Sequence, residues 1–154
     1  MLRAAVQQCL TYNVPTTLAM CTGVLGSALA RNGKASEAAT LLERGFADRI
    51  YDAAGTYGRT FMRIGLGVAY RNLERLDDAI RVGRKAVDEA REEYGHRTEA
   101  LFELAETLRI AGGAPEAEDC FMQTDESARR LRMPYYEKRA AAALAHRRDD
   151  RYRA

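Results

Sequence analysis

Residues 25–42 read LGSALARNGKASEAATLL, and two later stretches repeat this arrangement. The second stretch is 66–82, LGVAYRNLERLDDAIRV, and the third is 104–121, LAETLRIAGGAPEAEDCF. In all three, a leucine followed by a small residue comes twelve positions before an acidic residue, which alanine follows. The same spacing found three times predicts an internal repeat, in which each stretch forms the same structural unit.

Each feature that recurs in these three stretches has a physical reason. The small residue at positions 26, 67 and 105 predicts a place where the two helices of a hairpin approach closely. The alanines at 38, 79 and 117 predict a second close approach. Gly33 and Gly112 are expected to end a first helix in the left-handed conformation that glycine adopts most easily. Glu74 occupies that position in the second stretch, so we expect a tighter or more strained turn there.

The arrangement resembles the tetratricopeptide repeat, whose signature has Leu-Gly, an aromatic residue or Leu three positions on, a glycine turn and an acid–alanine pair. The small residue recurs at 26, 67, 105 and 145, at intervals of 41, 38 and 40 residues. These intervals exceed the usual repeat of about 34, so longer second helices are expected. The resemblance implies an all-α, TPR-like α-solenoid, a right-handed superhelix of antiparallel hairpins with about eight helices. Residues 1–154 would form one repeat domain, with half repeats at 1–13 and 134–150 and full repeats at about 15–55, 57–95 and 97–132.

Proline placement supports this register. Pro15 and Pro134 each lie ten residues before a leucine–small pair, and Pro115 lies just before the third acid–alanine pair. Proline is favoured in the first turn of a helix, where its missing N–H costs nothing. The predicted helices cover 2–12, 15–31, 36–54, 58–73, 76–94, 97–111, 115–132 and 135–148.

Composition narrows the classes of partner. The chain has 154 residues, 47% of them hydrophobic and 30% charged, as in ordinary globular domains. Its net charge of +2 argues against nucleic acid as a partner. From Ala128 to the end, however, nine Lys and Arg stand against three acids. Such a tail can steer acidic partners, or it can simply be a solvated helix face.

Cysteine use and hydropathy point to the cytoplasm. Cys9, Cys21 and Cys120 show no CxxC spacing, so neither a disulfide framework nor a zinc site is expected, and they are interpreted as small buried residues in a reducing compartment. The N-terminus has no signal-peptide pattern, and no stretch approaches the ~18 apolar residues of a membrane span.

Candidate catalytic groups are scattered. His96 and His146 have no motif around them, and His96 is expected in an interhelical turn as an exposed or capping residue. Adjacent acids such as Asp77 and Asp78 do not face each other on a helix. The run from Gly65 to Gly67 lacks the third glycine and preceding strand of a nucleotide loop. We therefore expect no enzyme activity, no cofactor and no metal.

The tetratricopeptide resemblance implies a concave groove lined by the first helices, with an apolar centre and an arginine rim suited to an acidic peptide or an amphipathic helix. Carried over by position, the partner-binding residues are Arg31, Phe61, Ile64, Val68, Arg71, Asn72, Glu99, Phe102, Glu106 and Arg109. In the alternative interpretation, Phe61 and Phe102 belong to the core between repeats, and the arginines are solvated helix ends. Gly23 and Ser27 stand where repeats that clamp chaperone tails carry Lys and Asn, which argues against that function.

The leading functional hypothesis is a protein–protein interaction module or scaffold that binds a partner peptide or helix, in a bacterial regulatory system. The stretch from Gly95 to Pro134 is similar to the C-terminal repeat arrays of bacterial multidomain ATPase- or cyclase-type signalling and transcriptional regulators. The alternative is a regulatory fragment of such a protein that senses a small ligand or peptide. Because half repeats at both ends leave apolar faces, self-association or docking to a further domain is also expected.

Overall fold

The computed structural model of the chain describes residues 1–91 and 95–153, with side chains up to residue 146. This part is all-α, as predicted, and contains eight α-helices and no strand. The helices are α1 Leu2–Thr11, α2 Pro15–Arg31, α3 Ala35–Ala47, α4 Gly55–Asn72, α5 Leu76–Glu89, α6 Gly95–Ile110, α7 Ala114–Arg130 and α8 Pro134–Arg153, with a 3-10 helix at Arg49–Ala54.

The chain divides into two compact units, Met1–Ala90 with α1 to α5 and Arg91–Ala154 with α6 to α8. Most predicted helix bounds agree with the structure within about three residues, and α8 runs five residues further than predicted. The helix predicted over 36–54 is wrong in its second half, because the α-helix ends at Ala47. Asp48 is extended, and its side chain accepts a hydrogen bond from the Ile50 N–H at 3.1 Å, which begins the 3-10 helix instead. The predicted end of the helix over 76–94 falls partly outside the described residues, and α5 itself ends at Glu89.

Five short turns between helices share one hydrogen-bonding pattern. In each, one residue has a positive φ, and the next N–H donates to the carbonyl five residues back at 2.8 to 3.1 Å, which is the Schellman pattern. The residues with positive φ are Asn13, Gly33, Glu74, Gly112 and Arg132. The prediction for the two glycines is confirmed. Glu74 has φ 60° where glycine stands in the other two first-helix turns, so that turn carries the cost of a side chain in the left-handed region.

The Glu74 turn gives a stability prediction. Glu74→Gly should raise the free energy of unfolding by about 0.5–1 kcal/mol, because glycine adopts this backbone conformation without the steric cost of a Cβ. Glu74→Ala removes the same charge and keeps the Cβ, so it serves as the control. Urea denaturation measures both variants, and an alanine variant as stable as the glycine variant would show that charge, and not φ, decides the outcome.

Glycines bring the backbones of α2 and α4 into close contact in the first unit. A Cβ on Gly23 would lie 2.4 Å from the backbone carbonyl carbon of Phe61, and a Cβ on Gly65 would lie 2.6 Å from the Gly23 oxygen. The prediction for position 26 is confirmed, since a Cβ there would lie 2.4 Å from Leu42 Cδ1. At Gly67 the approach is looser, because a Cβ there would lie 3.8 Å from the Ala79 backbone oxygen on α5, an ordinary contact that leaves room for alanine.

The contacts between α2 and α4 show that these helices run in the same direction. Gly58 approaches Ala19, and further along the helices Gly23 approaches Met62. At the far end the Asn72 side-chain amide donates to the Ala30 carbonyl at 2.9 Å. Successive hairpins in this unit therefore stack side by side with their first helices aligned.

In the second unit, α6 and α7 form an antiparallel hairpin against which α8 packs. The Thr98 hydroxyl donates to Ser127 Oγ at 2.9 Å near one end of the hairpin. Midway, the Phe102 ring meets Phe121 edge to face at 5.9 Å and Tyr136 of α8 at 5.6 Å. Through these ring contacts, Phe102 of α6 packs against both α7 and α8.

The sequence expectation is also wrong for His96. It lies in the first turn of α6 and is only 6% exposed, instead of lying in an open turn. Burial lowers its pKa below the ordinary value of 6.5, because the charged imidazolium loses solvation there.

This lowered pKa predicts a pH dependence. The unfolded chain binds the His96 proton more tightly than the folded chain, so the free energy of unfolding should fall as pH drops below 6.5 toward the folded pKa. His96→Gln cannot titrate and should flatten the profile between about pH 7 and 5, above the range of ordinary carboxylates. Urea denaturation across this range measures it, and parallel profiles for parent and variant would contradict the assignment.

Candidate interaction surface

The apolar centre of the predicted groove is buried within the folded chain. Ile64 is 4% exposed, Val68 is fully buried and Phe102 is 1% exposed. The Phe102 ring also lies under the Arg139 guanidinium, whose carbon is 4.4 Å from the ring centroid. Three of the four apolar residues proposed to meet a partner thus offer it almost no surface, and for Phe102 the contacts are those of the alternative interpretation as core.

Several polar residues of the predicted groove make contacts within the fold. Asn72 links α4 to the Ala30 carbonyl, and so joins two hairpins. Arg109 Nη2 lies 3.2 Å from Glu106 Oε2 on the same helix, and the two side chains form an ion pair. The remaining four residues are exposed or half-buried, namely Arg31, Phe61, Arg71 and Glu99. The ten residues fall into the two separate units, six in the first and four in the second.

Gly23 and Ser27, which the resemblance places at groove positions, lie instead between α2 and α4. Ser27 is 6% exposed, and a Cβ on Gly65 would lie 3.1 Å from its hydroxyl oxygen. In the first unit the first helices are therefore pressed together along the positions that a groove would require to be open.

The first unit does contain a groove, and it lies between α1 and α3. Its volume is about 610 Å³, within the range of sites that bind drug-sized ligands and peptide side chains. The residues that line it are Arg3, Leu10, Ser36, Glu37, Thr40, Leu41, Arg44, Gly45, Asp48 and Tyr51. None of them is among the ten predicted partner-binding residues.

The floor of this groove is apolar and fixed in place. The Tyr51 ring is 8% exposed, and its hydroxyl lies 3.1 Å from the Thr22 hydroxyl on α2, which holds the ring in one position. Gly45 keeps the floor open and lets Met62 approach, since a Cβ there would lie 2.6 Å from Met62 Cε. Leu10 adds an apolar side chain that is 42% exposed.

The rim of the groove carries both signs of charge. Arg3 on α1 pairs with Glu37 on α3, and this hydrogen bond lowers the Glu37 pKa below its ordinary value of 4.5. Their side chains are 64% and 44% exposed, so the pair adds little stability and can exchange partners. Arg44 lies on α3, the same wall as Glu37, and Asp48 follows the end of that helix.

The sequence did contain one signal for this groove. Gly45 stands inside the amphipathic α3, where glycine costs roughly 1 kcal/mol against alanine and so needs a packing reason. The signal could not show which neighbour Gly45 meets. Its closest neighbour, Met62, comes from α4, and Tyr51 comes from the 3-10 helix, a segment predicted as continuous α-helix.

Another unusual group in the first unit has a structural explanation. Arg63 is 6% exposed, a rare position for a charge. Its Nη1 lies 2.7 Å from Glu89 Oε2, and its guanidinium carbon lies 5.0 Å from the Phe46 ring centroid. These contacts tie α4 to α5 and α3, so we assign Arg63 to the fold.

The described part of the chain holds no metal-binding cluster and no membrane-spanning helix. No three His, Cys, Asp or Glu side chains among residues 1–91 and 95–146 are grouped so that they could hold a metal ion. No helix of the described residues combines the length and apolar character that crossing a bilayer requires. Of the basic tail, the arginines from 147 onward lie outside the described side chains. In comparisons with family models, curated proteins and solved structures, nothing matches this chain.

Proposed function

We propose that this chain is a protein–protein interaction module whose first unit binds an amphipathic helix of a partner in the groove between α1 and α3. One observation carries the proposal: a groove of about 610 Å³ with an apolar floor and a charged rim. Apolar floors give affinity by burying surface, and charged rims set the register and orientation of the ligand.

The groove walls favour a helix over a small molecule. Both walls are helices that run in the same direction, since each packs on α2 and is joined to it by a short turn. A third helix can pack its apolar ridge between two such walls. The matching peptide carries apolar residues at helical spacing, with an acid placed to meet Arg3 or Arg44 and a base to meet Glu37 or Asp48.

The proposal includes the tetratricopeptide-like array and its place in bacterial regulators. The recurring Schellman turns and the aligned first helices of the first unit support a stack of similar hairpins. Under this proposal the partner is a protein, and the chain supplies binding rather than catalysis. The surface used is that of the second helices, unlike the concave face implied by the family resemblance.

The proposal is tested by selecting binders from a displayed library of random and helical peptides on the full chain. We expect the selected peptides to share apolar residues spaced at i, i+3 or i+4 and i+7, and to bind one per chain in titration calorimetry. Peptides with no common spacing, or a chain that selects none, would argue for the small-ligand alternative or for another surface.

A further inference from the structure

A small cavity lies in the second unit, on the hairpin of α6 and α7. Its volume is about 150 Å³, roughly half the lower bound of about 300 Å³ for sites that bind drug-sized ligands. The residues that line it come from the first half of α6 and the second half of α7. The cavity shares no residue with the groove between α1 and α3. Its size admits a compact molecule.

One end of the cavity carries two guanidinium groups. Arg97 lies in the first turn of α6 and is half-buried, and Arg130 is the last residue of α7 and is exposed. These positions lie at the same end of the antiparallel hairpin, where Thr98 meets Ser127. Each guanidinium has five N–H donors, so it can keep its contacts within the fold and still donate to a ligand. Two such groups match a carboxylate, which accepts paired hydrogen bonds from arginine.

The hydroxyl groups beside the arginines offer acceptors and not donors. Thr98 is fully buried and donates to Ser127 Oγ at 2.9 Å. Ser127 Oγ donates in turn to the Thr124 carbonyl at 3.2 Å, so both hydroxyl protons are used, while Ser127 Oγ keeps a lone pair. Glu126, the neighbour of Ser127, adds a carboxylate to the same lining. This part of the cavity favours a ligand group that donates hydrogen bonds and carries positive charge.

The helix ends present the same two signs of charge. The amino end of α6 lies beside the carboxyl end of α7, since Thr98 and Ser127 meet. Partial positive charge at a helix amino end favours an anion, and partial negative charge at a carboxyl end favours a cation. Leu101, which is 4% exposed, gives the lining an apolar residue about one turn further along α6. A matching ligand has a carboxylate, an adjacent ammonium and a small side chain.

We propose that the second unit binds a small free α-amino acid, such as alanine or serine, in this cavity. The carboxylate of the ligand lies between the guanidinium groups of Arg97 and Arg130. Its ammonium donates to Ser127 Oγ and the Glu126 carboxylate, and its side chain lies toward Leu101. A phosphate ion fits less well, because its oxygens would meet the hydroxyl lone pairs and the Glu126 carboxylate, which are also acceptors. This binding does not depend on the groove of the first unit.

The test is an NMR titration of the full, isotope-labelled chain with L-alanine in the millimolar range. We expect saturable shifts of the backbone amide signals of residues 97–101 and 123–130, with the other signals unchanged. Propionate lacks the ammonium, and alaninamide lacks the carboxylate. Each should bind about tenfold or more weakly than alanine, because each loses a charge-assisted hydrogen bond.

Two exposed residues of the lining can be changed with the fold kept. Arg130→Gln removes one guanidinium and should weaken alanine binding by about tenfold or more. Glu126→Gln removes the carboxylate that meets the ammonium, so it should weaken the binding of alanine but not that of propionate. Arg109→Gln is the matched control, because Arg109 is exposed on α6 and does not line the cavity. This variant should bind alanine as the parent chain does.

Three results would overturn the proposal. If neither alanine, serine nor any other small amino acid gave saturable shifts, the cavity would bind none of them. Equal affinity for alanine, propionate and phosphate would show only a positively charged surface that attracts anions. Parent affinity for alanine in both Arg130→Gln and Glu126→Gln would place the ligand elsewhere on the chain.

Discussion

Replacing Gly23 with alanine is expected to lower the free energy of unfolding by about 2–3 kcal/mol, near the upper end of overpacking costs. The added methyl would lie 2.4 Å from the Phe61 carbonyl carbon and 2.6 Å from the Met62 nitrogen. Both neighbours are backbone atoms, which no side-chain rotation can move aside, so α2 and α4 must separate. Urea denaturation measures the loss, and the slope of the unfolding free energy against urea concentration should stay unchanged.

Gly67→Ala is the matched control, because it makes the same chemical change inside α4. Its methyl would meet only the Ala79 oxygen, at 3.8 Å, so it gains helix propensity without a clash. This variant should be neutral or more stable, by up to about 1 kcal/mol. If both variants lost stability equally, the glycine contact between α2 and α4 would not be the one described.

The local features of the fold could be predicted because they depend on neighbours in sequence. Gly33 and Gly112 mark their turns through backbone conformation alone, and Pro15 and Pro134 mark helix starts because their fixed φ suits the first turn. The break after Ala47 was missed because residues 48–54 have acceptable helix formers. There the Asp48 cap and the Tyr51–Thr22 contact, which join residues distant in space, override propensity.

The surface could not be predicted in the same way. Position in a repeat told which residues recur, but not which neighbour each one meets. Gly23 has the same repeat position as Ile64 and Phe102, and it contacts the backbone of the next first helix where they were expected to face a ligand.

Leu10→Gln is expected to weaken binding of a selected peptide by roughly tenfold. The leucine is 42% exposed in the groove, so covering it removes apolar surface from water, and glutamine forfeits that gain and buries a polar amide. The expected loss of about 1.4 kcal/mol corresponds to this factor of ten. Because Leu10 is substantially exposed, stability should change little, which melting curves run alongside would check.

Val24→Gln is the control for this experiment. Val24 is 43% exposed in the same unit, but lies on α2 and does not line the groove. Titration calorimetry should give the parent affinity for this variant. Equal losses in both variants would mean that the substitutions act through the fold, and a loss in Val24→Gln alone would move the site to the first helices.

The most direct measurement is amide hydrogen exchange on the full chain, with and without a selected peptide at saturation. If a partner helix binds between α1 and α3, protection should increase in α1, α3 and the 3-10 helix at Arg49–Ala54. These elements carry every residue that lines the groove except the connecting Asp48. Protection confined to α2 and α4, or to the second unit, with α1 and α3 exchanging as in the free chain, would contradict the account.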